Sequence, residues 1–186
     1  MNGINHVGLA LAAPLALALF PETVQLIGLP TGLEWAALIA GGLAPDLDGG
    51  GLIARPSKFL PDIIPAWVER PLDRAGLAVS RFVQTLFGHR GALHWPLWAT
   101  LMLIAGHRLE NPLLFWFGAG FLFHLLGDIV TRQGIPLLGP IISSKISIFP
   151  MRTGGKLEAL IGLAIWLFVA WQIGASAYTQ IVARLH

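Results

Sequence analysis

Residues 157–182 are apolar almost without interruption, with one charged side chain, Glu158, at the start. A helix needs roughly 20 such residues to cross a bilayer. A soluble core of this size cannot cover a helix that is apolar on every face. Four other apolar runs precede it: 7–29, interrupted by Pro21 and Glu22, then 33–44, 95–106 and 112–127. The last three fall short of a full crossing. They are expected to borrow flanking polar residues buried against other helices, or to enter the bilayer only in part. The expected fold class is all-α: an integral membrane bundle of about five helices, forming one domain over residues 1–186.

Composition agrees with a membrane solvent. The chain is 55% hydrophobic and 12% charged, where a soluble domain carries about 25% charged residues. The absence of cysteine excludes disulfides and thiolate metal sites. A net charge of +2 is too mild for a nucleic-acid partner. No basic stretch precedes the first apolar run, which therefore reads as a retained helix and not a cleaved signal.

The long connection over residues 48–94 opens with Gly49, Gly50 and Gly51. Pro56, Pro61, Pro65 and Pro71 are expected to break any long helix within it. Residues 66–70 and 72–87 are amphipathic: Leu72, Ala75, Val79, Phe82, Val83 and Leu86 recur at helical spacing, with Arg74 and Arg81 elsewhere on the wheel. That pattern fits an interfacial helix on the cytoplasmic bilayer surface or a helix packed on the bundle. If five segments cross, the N-terminus, this connection and the 128–156 loop share one side. That side holds Arg55, Lys58, Arg70, Arg74, Arg81, Arg90, Arg132, Lys145, Arg152 and Lys156, against Arg108 and Arg184 on the other. The positive-inside rule places the basic side in the cytoplasm.

Ionisable side chains beside apolar segments are costly, and they mark function. His6 opens the first run, and Asp46 and Asp48 end the second. His89 and His94 precede the third. His124 and Asp128 end the fourth, four residues apart and so on one helical face. Glu158 opens the fifth. In the five-crossing topology all of them lie at the cytoplasmic ends of their helices. Brought together, four histidines and four carboxylates form a nitrogen-and-oxygen donor set that suits Zn²⁺, Mn²⁺, Fe or Mg²⁺. The set exceeds the four ligands that one zinc takes, which points to two or more ions. Each piece also has a plainer reading. Asp46 and Asp48 fit a capped turn, His89-Arg90-Gly91 fits a headgroup-level loop, and Glu158 fits a helix N-terminus. His107 and His186 fall on the opposite side and serve as controls.

The N-terminal histidine, the run Leu43-Ala44-Pro45-Asp46-Leu47-Asp48, His89-Arg90-Gly91 followed by His94, and His124 with Asp128 followed by Thr131 and Gly134 resemble the YdjM-like family. Its members are described as LexA-binding, inner-membrane-associated, metal-dependent hydrolases of bacteria. The resemblance reaches from His6 to Glu158. It implies a distant similarity to the zinc-dependent phospholipase C and single-strand nuclease superfamily, whose helical scaffolds hold zinc ions with His and Asp. On that resemblance, His6, Asp46, His89, His94, His124 and Asp128 are ligands, and Asp48 is a ligand or a group orienting a histidine.

The expected function is metal-dependent hydrolysis of a phosphoester in a lipid or lipid-linked substrate at the cytoplasmic face of the inner membrane. Asp48 or Glu158 would act as general base, and Arg90 would hold a phosphate oxygen. Trp95, Trp98, Phe115, Trp116 and Phe117 would hold lipid chains or form an aromatic belt. Two other functions compete. One is a metal-ion or proton transporter built on broken helices. The other is a scaffold that binds a cytosolic protein partner through residues 48–94.

Overall fold

The computed structural model describes residues 1–48, 54–59, 65–87, 91–139, 141–142, 144–149 and 151–185, with the backbone alone for Asp48, Lys58, Phe59, Phe87, Ile181, Arg184 and Leu185. The described chain is helical: α1 (Gly3–Leu17), α2 (Pro21–Ile27), α3 (Leu33–Leu43), α4 (Ala66–Phe87), α5 (Pro96–Arg108), α6 (Pro112–Ile129) and α7 (Lys156–Leu185). Short 3₁₀ turns cover Ala44–Asp48, Pro56–Phe59 and Ala92–His94. Between α6 and α7, isolated β-bridges pair Thr131 with Met151 and Ile135 with Ile146.

Local chemistry sets several of these boundaries. The side chain of Asn2 caps α1 by accepting from the Asn5 amide. Asn111 does the same for α6 through Leu114, and Pro112 follows it at the first helical position. Pro71 does not break α4, contrary to expectation. The helix runs through it, giving up only the hydrogen bond that a residue there would donate one turn back.

Among the described residues two helices are long and apolar enough to cross a membrane, over Pro112–Ile129 and Lys156–Gln180. A third crossing exists if α1 and α2 count as one broken span, for the chain bends by 109° between them. The 11 residues of α3 and the 13 of α5 extend only about 16 and 20 Å at 1.5 Å per residue, against a hydrocarbon core of about 30 Å.

The bundle is built around α6, with α3 and α5 packed on either side of it and α1 against both α3 and α6. Glycines make this possible. A Cβ at Gly120 would fall on the Leu38 carbonyl of α3, and one at Gly118 would meet Met102 and Leu103 of α5. The close contacts of Gly118 and Gly120 are therefore made inside one chain. Trp116 is buried with Ala10, Leu38 and Ala119, and its ring meets Phe115 edge-on at 5.4 Å, so it packs in the core and not on the lipid face. The long α7 packs mainly on α1 and leaves most of its apolar surface exposed.

Candidate metal centre

Five of the sequence-predicted ligands meet at one end of the bundle. His6 comes from the second turn of α1, Asp46 from the 3₁₀ turn after α3, and His94 from the 3₁₀ turn before α5. His124 and Asp128 come from the last turns of α6. His6, His94, His124 and Asp128 have no exposed surface, and Asp46 has little. Two triads each have ligand atoms within 4.8 Å of one another: His6, Asp46 and His124, and His94, His124 and Asp128. They share His124.

The distances fit cation coordination. His6 Nε2 lies 3.2 Å from Asp128 Oδ1, while His94 Nε2 and His124 Nε2 each lie 3.5 Å from Asp128 Oδ2. His124 Nε2 is 3.8 Å from Asp46 Oδ1. Two ligands about 2.0–2.1 Å from a tetrahedral ion stand roughly 3.3 Å apart, so the cage is the right size. The α-amine of Met1 also reaches Asp128, at 2.5 Å.

The orientation of His124 is the telling detail. Its Nδ1 lies 2.7 Å from the carbonyl oxygen of Gly42, a pure acceptor. Nδ1 must therefore carry the proton, which leaves the lone pair on Nε2, aimed at Asp46 and Asp128. Among the described residues that Nε2 makes no well-aligned hydrogen bond, and neither does either ring nitrogen of the buried His6, though both rings face Asp128. A buried polar atom left unsatisfied costs about 1–3 kcal/mol, and such atoms are rare in native proteins. A divalent cation satisfies the lone pairs and the carboxylates together.

The family model for the YdjM inner membrane protein matches residues 1–184. The chain belongs to the YdjM family. It is 28% identical over 170 residues to the inner membrane protein YdjM of Escherichia coli (strain K12), covering 84% of this chain and 77% of that one. The same figures hold for YdjM of Shigella flexneri. No solved structure matches it. Family membership makes this an inner membrane protein.

The remaining candidates of this YdjM-family chain stand differently. His89, Arg90 and the Asp48 side chain lie outside the described residues. Glu158 is buried beside the centre but belongs to neither triad. Its Oε1 accepts from the Asn2 amide at 2.6 Å and from Asn5 Nδ2 at 3.3 Å, and its Oε2 from the Gly154 amide at 2.5 Å. It thus ties the start of α1 to the start of α7, one turn before His6. Two participants escaped the sequence reading: Asn5, a buried amide beside His6 whose polarity just before the first apolar run was the available signal, and the Gly42 carbonyl, which has no signature in sequence.

Proposed function

We propose that this protein is a membrane-bound, metal-dependent hydrolase that cleaves a phosphoester of a lipid or lipid-linked substrate at the cytoplasmic face. The reading rests on the two buried triads sharing His124, whose proton is held on Nδ1 by Gly42. The residues that would hold the metal are His6, Asp46, His94, His124 and Asp128, and their donors favour Zn²⁺, with Mn²⁺, Fe or Mg²⁺ as alternatives. When bound there, a divalent ion would supply Lewis acidity and lower the pKa of a water enough for it to act as nucleophile near neutral pH.

The chain's own groups supply the rest. The Gly42 carbonyl keeps His124 in the ligating tautomer. Asp128 orients three imidazoles at once. Glu158, occupied by three hydrogen bonds, holds α1 in place, so the base role falls to Asp48, two residues after Asp46 in the chain. Arg90 holds a phosphate oxygen through its planar fork of donors. Two features support a lipid substrate: the site gathers the ends of helices, where a bilayer presents its headgroups, and the basic residues are biased to that side.

The test is phosphate release by the metal-loaded protein in detergent, offered phospholipids and polyprenyl phosphates. Wild type is expected to hydrolyse at least one class, and Asp46→Ala to lose about two orders of magnitude or more. His107→Ala should retain wild-type rates, since His107 lines a separate cavity with Arg108 and Glu110. Full activity in Asp46→Ala would remove the mechanism. Inactivity of the loaded wild type on every phosphoester would leave a metal-binding protein that is not this enzyme.

A further inference from the structure

Helix α4 carries an apolar stripe that the other described residues do not cover. The face turned to the rest of the chain is small and polar. Gly76 and Ser80 are buried, and Asp73 accepts hydrogen bonds from the Ser57 amide at 3.0 Å and the Ser57 hydroxyl at 2.8 Å. The main contacts of α4 are with the 3₁₀ turns Ala44–Asp48, which carries Asp46, and Pro56–Phe59. Leu72, Val79, Phe82 and Leu86 point away from those contacts, with Phe82 66% and Leu86 60% exposed. Arg70, Arg74 and Arg81, all exposed, fall together on a third side of the wheel, apart from both this stripe and the packed face. The apolar residues of the helix therefore form a second face, separate from the one that packs.

We propose that α4 is a membrane-docking helix: its Leu72–Val79–Phe82–Leu86 face lies in an anionic phospholipid leaflet beside the metal centre, with the arginines on the water side, within electrostatic reach of the headgroups. Two observations select the bilayer as occupant. An amphipathic helix with an apolar stripe and an arginine row on its polar side is the pattern that complements an anionic leaflet. The helices over Pro112–Ile129 and Lys156–Gln180 already hold the chain at a bilayer, so docking needs no further loss of translational freedom. Docking would also hold the Asp46 turn at headgroup level, because α4 rests on that turn.

The chain has no cysteine, so single labels are specific. Spin labels at Val79→Cys, Phe82→Cys and Leu86→Cys are read in the full-length protein, in vesicles of two parts phosphatidylcholine to one part phosphatidylglycerol. Collisions with oxygen and with a water-soluble nickel complex report depth. The three labels are expected roughly 5–10 Å below the headgroup boundary, with labels at Arg74→Cys and Thr85→Cys in water. Replacing one arginine by glutamine should weaken docking about fivefold, and the combined R70Q/R74Q/R81Q change about a hundredfold. Water-accessible labels at all three apolar positions would overturn the proposal. So would spin–spin broadening there, which would mean that a second copy covers the face, and so would protection that appears only when a cytosolic protein is added. Metal content measured in detergent is independent of these readings, so the docking face and the metal centre can fail separately.

Discussion

Asp128→Ala is expected to yield a protein purified without its divalent ion. Asp128 lies within 3.5 Å of the ring nitrogens of His6, His94 and His124, with no exposed surface. Removing its carboxylate takes away one candidate ligand and the anion that faces three others. Even outer-shell changes cost about 10- to 100-fold in metal affinity, so loss of this group should bring metal content to background. Stability gives a second readout. An ion at a thousand times its dissociation constant stabilises the folded state by about 4 kcal/mol. Chelation should therefore lower the unfolding temperature of wild type, and added Zn²⁺ should restore it, while Asp128→Ala responds to neither. Asp128→Asn keeps the volume and should behave the same way, which separates lost ligation from a cavity. Elemental analysis and thermal unfolding in detergent, with His107→Ala as control, decide the matter. Wild-type metal content in Asp128→Asn, or a wild type that carries no metal and ignores added ions, would contradict the centre.

Gly120→Ala should unfold the bundle more readily and weaken the same centre from a distance. On helix propensity alone, alanine would stabilise α6 by about 1 kcal/mol. The tertiary effect opposes it and is larger. The new methyl meets the carbonyl of Leu38 and the amide of Gly42, both backbone atoms of α3, and no flexible side chain can move aside. Overpacking of this kind costs about 1–3 kcal/mol or more, so α3 must shift outward. That shift carries the Gly42 carbonyl away from His124 Nδ1, now 2.7 Å apart, and frees the ring to turn. The expected result is a net destabilisation of about 2 kcal/mol with reduced metal content. Gly174→Ala, where a Cβ meets nothing within 4 Å, should be neutral or slightly stabilising. Equal behaviour of the two variants in denaturant unfolding and metal analysis would refute the coupling.

Much of the candidate site is legible in the sequence, for a reason that belongs to residue chemistry. An imidazole or carboxylate at the edge of an apolar run is costly wherever the run packs, so His6, Asp46, His94, His124 and Asp128 stood out without knowledge of their neighbours. The all-α membrane class was legible in the same way, because hydropathy adds along a segment such as 157–182. What each ionisable group touches was not legible. Glu158 read as a possible base, and its three donors, two of them backbone amides, appear only in the structure. Helix lengths were equally opaque, since the runs that became α3 and α5 depend on neighbours to bury what a bilayer would otherwise cover.

Sequence alone determined the solvent, the helical class and the inventory of side chains able to hold a metal, since each follows from the polarity of individual residues. Tertiary structure alone decided that five of those side chains share one buried cage, that the Gly42 carbonyl sets the tautomer of His124, and that the apolar stripe of α4 faces outward. Those facts depend on which backbone atoms approach one another, and a backbone carbonyl looks the same in every residue of the chain.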